Sequence, residues 1–249
     1  MPNVHQKNTV LKPALPNKDA EDNPCAACEV RSHAVCGALA PADLERFSQT
    51  KKMIVLEAGD HLIDEGEPEV FVFSVTDGCL KYFKLLPDGR RQIIGFLFPG
   101  DFIGLAKSYN YTSSVEAVTD SSLCRMERRE LEKLTESMPN LDRRLHDMAS
   151  LALADVQGQL LLLGCKTAYE RVATFLLLLS KRAGERGMDT NPVDVPMSRD
   201  DIADFLGLTT ETVSRTFSRL RKDGLIGSDK NRKIEIINEP GLSEIAEGF

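Results

Sequence analysis

The feature that most limits the folds open to this chain is a change of hydrophobic pattern near residue 140. Before it, apolar residues come in short runs that glycines separate. The runs are Met53–Leu56, Val70–Val75, Cys79–Leu85, Gln92–Phe98, Ser113–Val118 and Ser121–Met126. Between the third and fourth run, Pro87-Asp88-Gly89-Arg90 has the composition of a tight hairpin turn. Many short strands predict an antiparallel β-roll of the jelly-roll type rather than a parallel sheet.

Helical periodicity follows, from about Asn140 to Cys165. One apolar stripe steps by 4, 3, 4 and 3 residues through Ala149, Leu153, Val156, Leu160 and Leu163. This spacing is typical of a coiled coil and predicts a dimer interface. A second set would face the chain's own β-roll: Leu145, Met148, Leu151 and Leu162. Two apolar faces on one helix favour a homodimer; the alternative is one broad surface that faces the core.

The C-terminal part of the chain predicts a helix-turn-helix. An amphipathic helix over Ala168–Arg182 comes first. Ser198 then begins a short helix, with Asp201 in the N3 position of a capping box and Gly207 at the end. Thr209 or Thr210 would cap the second helix, which runs through Thr212–Lys222 to Gly224. Two strands after it, Leu225–Gly227 and Lys233–Ile237, would form a hairpin wing.

The second of these helices is the candidate recognition helix. Val213, Phe217 and Leu220 would be its buried face, which leaves Glu211, Ser214 and Arg215 outside to read base edges. The expected supporting residues are Thr210, Thr212, Ser218 and Arg219. The bland alternative is that Glu211 and Arg215 form only a surface ion pair.

The charge of the chain also favours a focused contact with double-stranded DNA. The net charge is −7, yet seven basic residues and two acids lie between Thr212 and Lys233. The basic residues are Arg215, Arg219, Arg221, Lys222, Lys230, Arg232 and Lys233. A local basic patch in an acidic protein suits one specific nucleic-acid surface.

Three cysteines near the N-terminus predict a metal site. Cys25, Cys28 and Cys36 form a C-x2-C-x7-C pattern in a segment with little hydrophobic periodicity. We expect such a segment to pack no core, so its cysteines should be ligands for a soft metal or an iron–sulfur cluster rather than buried apolar residues. Three ligands are one short, and the fourth must come from elsewhere in the chain.

Composition places the protein in the cytoplasm. The N-terminus has no apolar signal segment, and the longest apolar runs, such as Leu160–Leu163 and Phe175–Leu179, are too short for a bilayer. Six unevenly spaced cysteines do not suggest a secreted disulfide scaffold. We therefore expect no membrane partner.

The pattern predicts an α+β fold and divides the chain into four parts. The predicted parts are a flexible tail (1–24), a cysteine segment with the β-roll (25–138), a dimerisation helix (139–166) and a winged helix-turn-helix domain (167–249).

These features together resemble the CRP/FNR superfamily of bacterial transcription regulators. The β-roll, the dimer helix and the sequence Glu211-Thr212-Val213-Ser214-Arg215 carry the resemblance, and Gly95–Leu105 is similar to the oxygen-sensing FNR branch. The resemblance implies an activator that binds a palindromic TTGAT-type site as a homodimer and contacts RNA polymerase. It assigns base reading to Glu211, Ser214 and Arg215.

In the FNR branch, three N-terminal cysteines and one from the roll hold an oxygen-sensing 4Fe–4S cluster. The resemblance assigns the fourth position to Cys124; Cys79 would be a packed thiol and Cys165 a helix residue. Zinc on the same thiolates is the alternative metal, and nitric oxide or thiol redox chemistry are alternative signals.

The same family raises the question of cyclic AMP. Cyclic-AMP binders place an Arg-Ser pair after a Gly-Glu segment, whereas no arginine stands beside the serines in the residues after Gly104 here. Without that phosphate clamp we expect no cyclic nucleotide to bind.

The dimer helix departs from the family at one position. Family members often carry a carboxylate on the dimer face, and that position aligns with Val156 here. Asp155 is the neighbouring candidate for weakening the cluster-free dimer.

A rival interpretation is an iron–sulfur redox protein. Against it, no Rossmann, P-loop or flavin fingerprint is found, and the histidines His5, His33, His61 and His146 are scattered. We therefore expect no enzyme activity and no catalytic residues.

Overall fold

The computed structural model describes residues 12–13, 25, 27–106, 108–227 and 231–248. The chain divides into two compact units. The first contains residues 1–82 and 96–148, and the second contains residues 83–95 and 149–249. Of the predicted flexible tail, Lys12–Pro13 form a short strand, and the remainder lies outside the described residues.

The β-roll consists of two antiparallel sheets. Its strands are β1 (Lys12–Pro13), β2 (Lys51–Leu56), β3 (His61–Ile63), β4 (Phe71–Asp77), β5 (Leu80–Leu85), β6 (Arg91–Leu97), β7 (Phe102–Ile103), β8 (Ser114–Ala117) and β9 (Ser121–Glu127). One sheet has the order β1-β2-β9-β4-β7 and the other the order β3-β8-β5-β6. All six predicted strands are present, each within two residues of its predicted ends. The sequence pattern missed β1, β3 and β7, which are only two or three residues long.

The predicted hairpin turn connects β5 to β6. The Leu86 amide donates a hydrogen bond of 2.8 Å to the Arg90 carbonyl, which closes the turn. Alternation along β2 and β9 buries one face of each strand: Ile54 and Leu56 of β2 and Leu123 of β9 are at most 3% exposed. These side chains form the core of the roll.

A second hydrophobic cluster joins the cysteine loop, Cys25–Cys36, to three helices. They are α1 (Pro41–Thr50), α2 (Arg128–Ser137) and the start of α3 (Pro139–Cys165). The expectation that the cysteine loop would pack no core was wrong, because Cys25, Val35 and Cys36 are 3%, 1% and 8% exposed. A few apolar residues suffice here, since α1 and α2 supply the remaining surface.

Helix α3 confirms the predicted long helix but only part of its predicted inner face. Leu145 and Met148 pack on the cluster that contains the cysteine loop, and Leu162 is buried. Leu151 was assigned to this face wrongly, because its side chain is 65% exposed.

The predicted dimer stripe of α3 lies at the surface. Leu153, Val156 and Leu160 are exposed, and Ala149 and Leu163 are half-buried. Part of α3 is apolar enough to cross a membrane by length and composition, with a mean hydropathy of 1.4 and 6% of the segment buried. Counting uninterrupted apolar runs missed this segment. Length and composition alone are weak support for a membrane span, and a dimer stripe has the same composition.

The second unit contains the helix-turn-helix and its wing. Its elements are α4 (Ala168–Glu185), β10 (Val193–Asp194), α5 (Arg199–Leu206), α6 (Thr210–Lys222), β11 (Lys233–Ile234) and α7 (Glu239–Glu247). The wing pairs at Ile226 and Ile236, as predicted, while β10 adds an unpredicted strand against β11. The sequence pattern also missed α2 and α7.

Local sequence explains the ends of the two helix-turn-helix elements. Ser198 and Asp201 form the predicted capping box at the start of α5. Gly207 ends α5 with a φ of +62°, where a side chain would also approach Leu163 at 3.3 Å. Thr209, rather than Thr210, caps α6, because its hydroxyl accepts a hydrogen bond from the Thr212 amide.

Candidate functional site

Helix α6 presents the predicted base-reading residues to solvent. Val213, Phe217 and Leu220 are at most 1% exposed and anchor the helix. The opposite face is exposed and carries Glu211, Ser214, Arg215, Ser218 and Arg219, with Thr212 half-buried beside it. The helix therefore offers a polar surface on a rigid, packed support.

Glu211 and Arg215 already interact. Arg215 Nη2 donates a hydrogen bond of 2.6 Å to Glu211 Oε1. The Arg215 side chain is 78% exposed and the Glu211 side chain is 71% exposed. An exposed pair at this spacing contributes only a few tenths of a kcal/mol. The surface ion pair that was the alternative to base reading is therefore present, but it is weak enough to be replaced by contacts with bases.

Two of the predicted supporting residues are held by other parts of the second unit. The Thr210 hydroxyl donates a hydrogen bond of 2.6 Å to Asp200 Oδ1. Arg219 lies 4.2 Å from the centre of the Tyr169 ring and 3.6 Å from Asp223. Tyr169 in turn donates a hydrogen bond of 2.6 Å to Asp223. Sequence reasoning missed this arrangement, because no local pattern links Tyr169 to a helix some fifty residues later.

The predicted basic patch is exposed where it is described. Arg221, Lys222, Arg232 and Lys233 are exposed, while Lys230 lies outside the described residues. Ser218 donates a hydrogen bond to the Ser214 carbonyl and accepts one from Arg221 Nη2. The exposed cations can neutralise phosphates beside the base-reading face.

The hairpin residues of the second unit fix helix α5. Arg91 pairs with Asp201 at 3.1 Å and with Asp204 at 2.8 Å. Gln92 Nε2 donates a hydrogen bond of 2.7 Å to the Asp204 carbonyl. These contacts span more than 100 residues of sequence, so no motif predicts them, yet they set the position of the first helix of the helix-turn-helix.

The four predicted metal ligands line one cavity in the first unit. Cys25, Cys28 and Cys36 approach it from the cysteine loop, and Cys124 approaches it from β9. Its volume is about 30 Å³. No disulfide joins any of the six cysteines, all of which are described. Cys79 is buried at 2% exposure and Cys165 is exposed at the end of α3, and neither lines this cavity.

Burial in the cavity opposes ionisation of three of its thiols, Cys25, Cys36 and Cys124. Burial raises the pKa of Cys25, and burial with neighbouring thiols raises the pKa of Cys36 to about 11. Burial likewise raises the pKa of Cys124 to about 11, although the nearby Lys51 ammonium opposes the shift. Any group held as a four-thiolate complex would have to displace these protons.

The donor set of the cavity fits an iron–sulfur cluster or zinc. Four thiols converge on one space, and the buried Ser74 hydroxyl that lines it has no hydrogen-bond partner among the described residues. The thiols are not preassembled, since within the described residues no three Cys, His, Asp or Glu side chains stand at metal-binding distances. Binding would therefore require the thiols to approach one another.

A largely buried ion pair organises the residues around Gly104, where the sequence lacks the phosphate clamp of cyclic-AMP binders. Arg128 pairs with the buried Glu69 and donates a hydrogen bond of 2.6 Å to the Gly104 carbonyl. The Ser108 amide points to the same Glu69 carboxylate at 3.3 Å. That the protein binds no cyclic nucleotide remains a prediction.

Two protein-family profiles match the chain. A Crp-like helix-turn-helix domain matches residues 170–245, and a cyclic nucleotide-binding domain matches residues 53–138. Together they cover the β-roll and the winged helix-turn-helix.

Several relatives extend the similarity to most of the chain. The transcriptional activatory protein AadR of Rhodopseudomonas palustris is 41% identical over 86% of this chain and 90% of its own length. The transcriptional activator protein FnrL of Cereibacter sphaeroides is 34% identical over 89% of this chain and 91% of its own. The solved structure of FixK2 from Bradyrhizobium japonicum has a TM-score of 0.74 and 37% identity, and the match covers 78% of this chain and 96% of that one.

Proposed function

The chain belongs to the CRP/FNR family of DNA-binding transcription regulators, and on that premise we propose that it is a cytoplasmic, oxygen-responsive activator. In this proposal Cys25, Cys28, Cys36 and Cys124 hold a 4Fe–4S cluster. The observation that supports it is that a short loop and a distant strand bring four thiols to one cavity. When bound, such a cluster supplies a centre that dioxygen can attack.

The cysteine loop connects this cavity to the dimer helix. Its buried residues pack in the same cluster as Leu145 and Met148 of α3. Ligation would add bonds through the four cysteines to this packing, and loss of ligation would leave the loop held by its apolar contacts alone. The loop and the start of α3 therefore change their packing together.

The output of this change is the dimer. Leu153, Val156 and Leu160 expose a stripe that a second copy of the chain would bury. A homodimer presents two α6 helices to the half-sites of a palindromic, TTGAT-type operator. Glu211, Ser214 and Arg215 would read bases there, and Thr210, Thr212, Ser218 and Arg219 would support them. The names of the relatives favour activation, which requires a contact with RNA polymerase.

The test is anaerobic reconstitution of the full chain with iron and sulfide. We expect about four irons and four sulfides per chain, a brown absorption band that fades in air, and operator binding that is lost with it. The variant Cys124→Ser should take up little iron, whereas the matched variant Cys165→Ser, at an exposed cysteine, should behave as the parent. A colourless protein that contains zinc would overturn the sensor and leave DNA binding intact.

A further inference from the structure

Lys51 places a positive charge among the four cysteines. It is the first residue of β2, and it lines the same cavity as Cys25, Cys28, Cys36 and Cys124. Its Nζ lies 3.9 Å from Met53 Sδ, and Cys124 Sγ lies 3.3 Å from the same sulfur atom. Among the described residues that line the cavity, Lys51 has the one basic side chain.

Ser74 reaches the same cavity from β4. It is the cross-strand neighbour of Cys124 in the β4–β9 ladder. Its hydroxyl is buried without a partner in the described part of the chain, although a buried hydroxyl ordinarily forms a hydrogen bond. An unused donor beside a ligand position is therefore available to whatever occupies the cavity.

We propose that Lys51 and Ser74 are hydrogen-bond donors to the sulfur atoms of the bound cluster, and that Lys51 also compensates its negative charge. This inference rests on the proposed function. A Lys ammonium has three N–H donors and a hydroxyl has one, so both side chains can satisfy thiolate or sulfide acceptors. Donors to sulfur and nearby charge are what a protein uses to set the potential of such a cluster.

The sign of the effect follows from Coulomb's law. A cation beside the cluster stabilises the more negative, reduced state, so it raises the reduction potential and opposes oxidation. Removing the charge should lower the potential and shorten the lifetime of the cluster in air. Removing the Ser74 hydroxyl should act in the same direction but less strongly, because it takes away one neutral hydrogen bond.

The experiment compares variants of the full chain after anaerobic reconstitution with iron and sulfide. The variants are Lys51→Met, Lys51→Arg, Ser74→Ala and, as the matched control, Lys52→Met, which removes the charge of the exposed next residue. The readouts are iron and sulfide content, the midpoint potential of a one-electron titration, and the half-life of the absorption band in air.

We expect Lys51→Met to shift the oxidation equilibrium about tenfold, which is about 59 mV for one electron, and to shorten the half-life correspondingly. Ser74→Ala should shift the equilibrium about threefold. Lys51→Arg and Lys52→Met should stay within about twofold of the parent.

The outcomes separate this inference from the proposed function. Equal potentials and half-lives in the parent and in Lys51→Met overturn the inference alone. The same holds if Lys51→Met binds no iron and Lys51→Arg, which keeps the charge, has a shifted potential. A parent that takes up no iron and sulfide overturns the proposed function and this inference together.

Discussion

Arg144, in the second turn of α3, donates a hydrogen bond of 2.7 Å from Nη2 to the backbone carbonyl of His33 in the cysteine loop. The other side of His33 rests on the turn at Gly100, where an added Cβ would lie 3.0 Å from the His33 Cβ. The loop is therefore held between the β-roll and the helix. In this position it can pass a change at the cavity to the dimer helix without an intermediate element.

Replacing Arg144 with Met should loosen this connection. We expect the free energy of unfolding of the cluster-free protein to fall by about 1–2 kcal/mol, because a partly buried hydrogen bond from a charged donor is lost. Urea unfolding measures this change. The matched variant Arg143→Met, at an exposed neighbouring position, should leave stability unchanged. Equal stabilities of the two variants would show that the Arg144–His33 contact does not hold the loop.

Replacing Arg215 with Ala should weaken sequence-specific DNA binding. A bidentate contact of Arg with guanine contributes about 1–3 kcal/mol of discrimination, so the operator should lose about 10- to 100-fold in affinity relative to scrambled DNA. Fluorescence anisotropy at fixed salt measures both affinities. Lys222→Ala, at the exposed end of the same helix, should weaken binding to both DNAs alike. A parallel loss in both variants would place the base contacts elsewhere.

Replacing Leu153 with Glu should disrupt the homodimer. Its side chain is 59% exposed in one chain, and a dimer along the predicted stripe would bury the new carboxylate at a core position. Sedimentation of the reconstituted protein should show monomers. The control is Leu151→Glu, which introduces the same charge at an equally exposed leucine outside the stripe. Dimers that survive Leu153→Glu but not Leu151→Glu would move the interface to the other face.

Replacing Asp155 with Ala should favour dimers in air. Asp155 is exposed next to the predicted stripe, where two like charges would face each other across the dimer. Sedimentation of the air-exposed variant should show a larger dimer fraction than the parent. An unchanged dimer fraction would mean that this carboxylate faces only solvent.

Two of the four tyrosines should ionise only at a pH well above that of an ordinary tyrosine. Burial raises the pKa of Tyr111 to about 12, and burial with the Asp223 carboxylate raises the pKa of Tyr169 to about 12. Because both values lie above that of an unfolded tyrosine, about 10, these phenols stabilise the fold below that pH. The stabilisation disappears as the pH rises towards 12.

A rapid pH jump read at the phenolate absorption band measures this ionisation before the chain unfolds. Tyr111→Phe and Tyr169→Phe should each remove one late-titrating group. If either variant keeps both late steps, the assignment of that tyrosine is wrong.

Much of the architecture can be read from the chain itself. The six longer strands, the long helix and the two helix-turn-helix elements follow from period and capping, because those signals are local. The outer face of α6 is predictable for the same reason, since helical geometry alone places Glu211 and Arg215 opposite Val213 and Phe217. Family resemblance, rather than local pattern, pointed to Cys124.

Only the tertiary structure decided what surrounds these elements. The sequence determined that three cysteines lie close together in the chain, but burial of Cys25 and Cys36 depends on surface that α1 and α2 provide. Likewise Lys51, Ser74 and Arg144 look like ordinary strand and helix residues until folding brings them to the cysteine loop and its cavity. Such contacts join residues far apart in the chain, and short-range periodicity carries no information about which distant residues will meet.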